Sequence, residues 1–134
     1  MPRPAYVHMM PLEVPIWERF LRSGQLQLDR YEYDIHVGEG APIPDDATEA
    51  EIRQIQAITQ KRIDAVGWGE GAVWLIEVKP RAGHSAAGAL LNYARLFKEK
   101  YRPSLPIRLA VVCERTEWDV SGYYQELGIE VFLV

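Results

Sequence analysis

Lys61–Lys79, KRIDAVGWGEGAVWLIEVK, decides the fold of this chain. Two β-rich runs flank a glycine-rich turn, which predicts a β-hairpin. With Glu70–Gly71 as a two-residue turn of the Asp-Gly kind, Gly69 pairs with Ala72. Asp64 then lies opposite Glu77 and Val66 opposite Leu75. On the other face Ile63 meets Val78, Ala65 meets Ile76 and Gly67 meets Trp74, so that face is entirely apolar. Side chains alternate along a strand, so Lys79 shares the face of Glu77. The hairpin therefore gathers Asp64, Glu77 and Lys79 at one end. A three-residue turn would place Asp64 on the wrong side unless a bulge corrected it.

Upstream of the hairpin, Pro15, Ile16, Trp17, Phe20 and Leu21 have helical spacing and Ser23–Gly24 is a stop, predicting a helix over 15–23. From Gln25 to Val37, Tyr31, Tyr33, Ile35 and Val37 alternate with charged or polar residues, the period of a strand. Thr48 with Glu51 resembles a capping box and predicts a short helix over 49–57. Downstream, His84–Tyr101 reads as the longest helix, with Leu90, Tyr93, Ala94 and Phe97 on one face and Pro103 and Pro106 beyond its end. Ile107–Cys113 is a continuous apolar run, expected of a strand covered on both faces. A short helix over 119–127, closed by Gly128, and a last strand over 129–134 follow. The order α-β-(α)-β-β-α-β-α-β describes an α/β fold, a mixed sheet flanked by helices.

The 134 residues suit a single domain, 1–134, and their 48% apolar and 25% charged content is that of a globular protein. Cys113 is the only cysteine and reads as inert core, which excludes a disulfide framework and a Cys-rich zinc site. No apolar run is long enough to span a membrane, and the proline-broken start lacks a signal-peptide core. A soluble, cytoplasmic protein is expected. The net charge is −4, but it is unevenly spread. Residues 79–108 carry Lys79, Arg81, Arg95, Lys98, Lys100, Arg102 and Arg108 against Glu99 alone, a net +6 inside an acidic chain. Such a segment suits an anion-binding face as well as a solvated helix.

Two carboxylates and an amine at one end of an apolar hairpin are costly to bury without a purpose. At cross-strand distance Asp64 and Glu77 can bind a hard divalent cation, with the Val78 carbonyl as a third ligand. Such a metal lowers the pKa of bound water and stabilises charge on a phosphate. Lys79 can orient or deprotonate that water, or neutralise the phosphate. The competing structural reading is a surface Asp–Lys–Glu ion-pair cluster. His8, His36 and His84 have no metal-ligand spacing, and Trp68, Trp74 and Trp118 read as core or rim aromatics.

These residues resemble the PD-(D/E)xK nuclease superfamily: an Asp ending a strand, a hairpin, Glu-x-Lys after an apolar run, then a helix. Arg62–Val66 and Trp74–Pro80 look closest to small phage-encoded members, and the resemblance covers residues 60–100. It implies a restriction-endonuclease-like fold and a nuclease that hydrolyses DNA phosphodiester bonds with Mg²⁺ or Mn²⁺. Asp64 and Glu77 would hold the metal and Lys79 would assist catalysis. Glu18 is the expected acid from the first helix, with Glu13 as its rival. Arg81, His84, Arg95 and Lys98 are the expected DNA contacts. Family members also carry a pattern like Gly-Gln-Leu-Leu-x-Tyr-Ala, against which Gly88-Ala89-Leu90-Leu91-Asn92-Tyr93-Ala94 has Ala89 in place of Gln. A homodimer or a partner protein would be needed to cut both strands, and a phage-encoded protein would act in the host cytoplasm. The alternatives are a non-catalytic nuclease-fold protein in DNA binding or virion assembly, and a small α/β interaction domain.

Overall fold

The computed structural model describes residues 6 and 8–134. The rest of the proline-broken start, residues 1–5 and 7, lies outside them. The elements are α1 (Val14–Ser23), β1 (Arg30–Val37), α2 (Glu49–Thr59), β2 (Lys61–Trp68), β3 (Val73–Ala82), α3 (His84–Tyr101), β4 (Ile107–Thr116), α4 (Ser121–Glu126) and β5 (Ile129–Leu133). They follow the order read from the sequence. One sheet holds all five strands in the order β1-β2-β3-β4-β5. The pairs β1–β2 and β2–β3 are antiparallel, while β3–β4 and β4–β5 are parallel.

The hairpin has the predicted register, with rungs from Trp68–Val73 to Ala65–Ile76 and the Gly69 amide donating to the Ala72 carbonyl at 3.0 Å. The ladder stops there. The expected facing pairs Asp64–Glu77 and Ile63–Val78 are not rungs, because β2 leaves β3 at Asp64. Strict alternation fails at the same place. Ile63 packs with Val37, Val66 and Leu75, whereas Ala65, Ile76 and Val78 pack on the opposite side with Trp17 and Phe20.

Each face of the sheet has its own core. The apolar stripe of α1 (Ile16, Trp17, Phe20) packs with Tyr31, Tyr33, Trp74 and Phe132 into an aromatic cluster. The Trp17 indole N–H donates to the Tyr33 hydroxyl at 3.2 Å, satisfying the one polar atom it buries. On the other face α3 contributes Ala86, Ala87, Leu90 and Phe97, and α4 contributes Tyr124, whose hydroxyl donates to the Gly83 carbonyl. The capping box at Thr48 forms in full, but α2 buries no side chain and lies at the periphery.

Several boundaries differ from the sequence reading. α1 begins one residue earlier, at Val14. β1 begins only at Arg30, since Leu26 and Leu28 leave the strand path to pack on the aromatic cluster. β4 runs on to Thr116 because it follows β3 through the rungs Arg81–Arg115 and Ala82–Thr116. α4 starts at Ser121, since Asp119 takes a positive φ of 60° that no α-helix contains. Trp118, in that turn, is 91% exposed and belongs neither to the core nor to its rim. Cys113 is buried in the core, which pushes its thiol up to about 11.

Trp17 is fully buried at the centre of the aromatic cluster. Trp17→Ala is expected to lower the unfolding free energy by about 3–5 kcal/mol, read from the urea midpoint at unchanged m-value.

Candidate active site

The site lies where β2 and β3 part. Val78 is the first even-numbered residue of β3 beyond the hairpin rungs, and its N–H has lost its strand partner. The Asp64 carboxylate takes that place, accepting from the Val78 N–H at 2.9 Å. A strand residue points its N–H and C=O towards the same neighbour. The Val78 carbonyl therefore opens into the same gap as the Asp64 carboxylate. Pro80, the next residue on that side, has no N–H to satisfy, so the absence of β2 costs no bond there.

The neighbouring side chains of β3 close the site. Glu77 is 6% exposed, and the Lys79 Nζ lies 4.0 Å from its Oε2. Burial, the charge of Asp64 and a hydrogen bond to Asp64 push the Glu77 carboxyl up to about 9, against the opposing pull of Lys79. Without a cation, burial beside Asp64 therefore favours one proton held between the two carboxyls. Asp64, Glu77 and Lys79 line one cleft of about 230 Å³ together with His8, Glu13, Asp34, Arg62 and Tyr93.

Of the two acids considered on the first helix, Glu13, the rival to Glu18, is the one that lines the cleft. Glu18 does not line the cleft; its carboxylate accepts from the Tyr6 hydroxyl. Glu13, at the start of α1, does line it, and burial followed by the charge of Asp64 raises its pKa. The helix begins at the cleft, and five residues of helix carry Glu18 away from it.

Of the predicted phosphate contacts, Arg81 and His84 are exposed at the end of β3 and the start of α3, on the Lys79 side of the sheet. Arg95 and Lys98 are not on the cleft. They sit 11 and 14 residues along α3 from His84, roughly 17–21 Å at helical rise. There they line a larger groove of about 680 Å³ with Pro103–Ile107 and Leu109, at the opposite ends of β3 and β4. Size does not mark that groove as the reactive site, since no carboxylate lines it. Asn92 is held by Arg95 and does not stand in for the missing glutamine. Tyr93, four residues after Ala89 on the same helix face, reaches the cleft, and burial with the charges of Glu77 and Asp64 pushes its hydroxyl up to about 12.

Sequence reasoning missed Asp34, Arg62 and His8 as members of this cleft. Arg62 carried a signal, since it stands two residues before Asp64 on β2.

As a metal site, the cleft offers two carboxylates and a backbone carbonyl, all hard oxygen donors of the kind Mg²⁺ and Mn²⁺ take. Among the described residues no three His, Cys, Asp or Glu side chains form a complete ligand cage.

No protein-family model matches this chain, and no curated protein matches it. Solved structures do. The chain is similar to a repair endonuclease from Pyrococcus abyssi, with a TM-score of 0.53 and 17% identity over 94% of this chain and 47% of that one. It is similar to EndoMS in a complex with dsDNA, with a TM-score of 0.52 and 12% identity over 94% of this chain and 46% of that one. The chain spans about half the length of each. At these identities the likeness is one of fold: a mixed five-stranded sheet flanked by helices, shared with nucleases.

The Glu77 proton sets a pH dependence. The group's ordinary value is 4.5, and in the folded protein it is about 9, so between these values the folded state holds a proton that the unfolded state releases. The stability it contributes is complete below about pH 4.5 and is lost as pH rises towards 9. In chelator, the melting temperature is expected to fall across pH 5–9, and Glu77→Gln is expected to flatten that slope.

Proposed function

We propose that this chain is a divalent-metal-dependent nuclease that hydrolyses DNA phosphodiester bonds. The observation that supports this most is the fork of β2 and β3, which places Asp64, Glu77, the Val78 carbonyl and Lys79 around one gap on a fold shared with nucleases. Asp64, Glu77 and the Val78 carbonyl would hold Mg²⁺ or Mn²⁺. Bound there, the cation would acidify a water and stabilise charge on the phosphate. Lys79, two-fifths exposed at the mouth of the cleft, reaches the reacting phosphate and orients the attacking water or neutralises the developing charge. The carboxyl pair must release its proton for the cation to enter, and Glu13 adds a third acidic group at the rim. Arg81 and His84 meet phosphates beside the cleft, and Arg95 and Lys98 would meet DNA only away from it, at the far end of α3.

Cutting both strands of a duplex calls for a second copy or a partner chain, since one cleft reaches one strand. Among the described residues no helix is long and apolar enough to cross a membrane. Action in a cytoplasm, that of the host if the chain is phage-encoded, belongs to the same proposal. A second reading, a non-catalytic nuclease-fold protein in DNA binding or virion assembly, is favoured by Ala89, which brings no polar group to the position where the resembled pattern has Gln.

The test is cleavage of supercoiled, linear, branched and single-stranded DNA with magnesium, manganese or chelator. Wild type is expected to cut only with metal. Asp64→Ala, Glu77→Ala and Lys79→Ala are each expected to lose at least about 100-fold in rate with the fold intact by circular dichroism. Magnesium should raise the wild-type melting temperature, and Asp64→Asn, whose amide oxygen still accepts from Val78, should abolish the rise. A metal-induced rise without cleavage of any substrate would support the non-catalytic reading instead.

A further inference from the structure

The cleft contains a second polar arrangement that the carboxylates and Lys79 do not use. β1 and β2 pair from Arg30–Trp68 to Val37–Lys61, but the rung between Asp34 and Asp64 is missing from an otherwise regular ladder. Asp34 has φ 55°, a left-handed conformation in the middle of a strand. At this one level the two aspartates turn to different tasks. Asp64 bonds the Val78 N–H, and Asp34 accepts Arg62 in a fork, Nε to Oδ1 at 2.7 Å and Nη2 to Oδ2 at 2.7 Å. His36 Nε2 stands 3.6 Å from the same carboxylate.

A non-glycine residue holds such a φ only where its surroundings enforce it. The Arg62 side chain is 52% exposed, and ion pairs that open to solvent add little stability. The left-handed turn separates Asp34 from the like charge of Asp64, and the fork it makes to Arg62 also fixes where the guanidinium points. A guanidinium has five N–H donors in a rigid plane, and the fork to Asp34 uses two. Three remain, and among the described residues no other acceptor takes them. His8 lines the same cleft, and both its ring nitrogens are buried without a partner among the described residues. The cleft thus presents unused hydrogen-bonding groups beside the paired carboxylates, where an anion would satisfy them.

We propose that Arg62 binds a backbone phosphate of the DNA strand being cut, and that Asp34 is the positioning residue that aims its guanidinium into the cleft. This rests on the nuclease reading above for the identity of the ligand. Arg62 supplies bidentate geometry that Lys79, a single ammonium, does not.

The test combines DNA affinity by fluorescence anisotropy in chelator, at several salt concentrations, with cleavage kinetics in magnesium. Arg62→Ala is expected to weaken affinity about tenfold or more, to lower the salt slope by about one, and to raise KM more than it lowers kcat. Arg62→Lys should recover part of the affinity, since charge returns without the fork. Asp34→Asn should shift KM in the same direction while the magnesium-induced melting shift persists. The exchange Asp34→Arg with Arg62→Asp rebuilds the ion pair and should restore melting temperature but not affinity, because the guanidinium then stands on β1. Wild-type affinity and salt slope in Arg62→Ala, or wild-type KM in the exchanged protein, would overturn the proposal and reduce the pair to a structural one. If Arg62→Ala loses affinity while even wild type cuts nothing, the phosphate contact stands and the nuclease reading falls. Wild type that binds no DNA overturns both.

Discussion

A single hydrogen bond, from the Val78 N–H to the Asp64 carboxylate, is the interaction on which the site depends. Where a hairpin stops pairing, the strand that continues exposes backbone groups, and buried ones must find partners. β3 can continue past the hairpin because β4 stays paired with it from Val73 to Ala82. Only the groups facing the departed β2 need new partners. Val78 finds Asp64, and Pro80 needs none. The aspartate is thus a structural cap for the strand and a member of the cleft at once.

The same separation governs the electrostatics. Glu77 follows a run of fully buried residues (Val73, Leu75, Ile76) and inherits their low-dielectric surroundings. A carboxylate there beside a second carboxylate favours either a proton or a cation between them. Lys79 moderates this repulsion only in part, since at 4.0 Å and with two-fifths of its side chain in solvent it forms no tight ion pair. A lysine less firmly bound to its own carboxylate is freer to meet a phosphate. The acidic total charge of the chain does not oppose this, because Lys79 and Arg62 line the cleft and Arg81 is exposed beyond Lys79 on β3, while Arg95 and Lys98 lie at the far end of α3.

Most of the fold was readable because its signals are local. The Glu70–Gly71 turn sets the hairpin register, the period of Tyr31–Val37 marks a strand, and Pro103 ends the long helix. The Asp64–Glu77–Lys79 grouping followed from that register. What the sequence hid is what depends on the strands parting. An ideal ladder puts Ile63 with Ala65 on one face, and the structure puts them on opposite faces because the chain turns at Asp64. Asp34 reads as an ordinary polar position of an alternating strand, and nothing in its spacing announces a positive φ. The choice between Glu13 and Glu18 turned on where α1 starts relative to the cleft, a tertiary relation that helical periodicity does not carry. Arg95 and Lys98 were grouped with Arg81 and His84 by charge alone, and the length of α3 separates them.

The two aspartates show how one distortion can shape a whole cleft. Were the β1–β2–β3 ladders regular at this level, Asp34 and Asp64 would face one another as like charges on adjacent strands, an unfavourable pair. Losing the rung removes that repulsion and gives each carboxylate a donor of its own: a backbone N–H for Asp64 and a guanidinium for Asp34. The consequence is a cleft lined by the Asp64 and Glu77 carboxylates and also by the Arg62 guanidinium held on Asp34. Under the proposed function, a phosphodiester bound to a cation on the carboxylates and to the Arg62 guanidinium would be held at two points, which would fix its orientation as well as its place. Orientation of this kind is what a hydrolytic site needs, because water must approach in line with the bond that breaks.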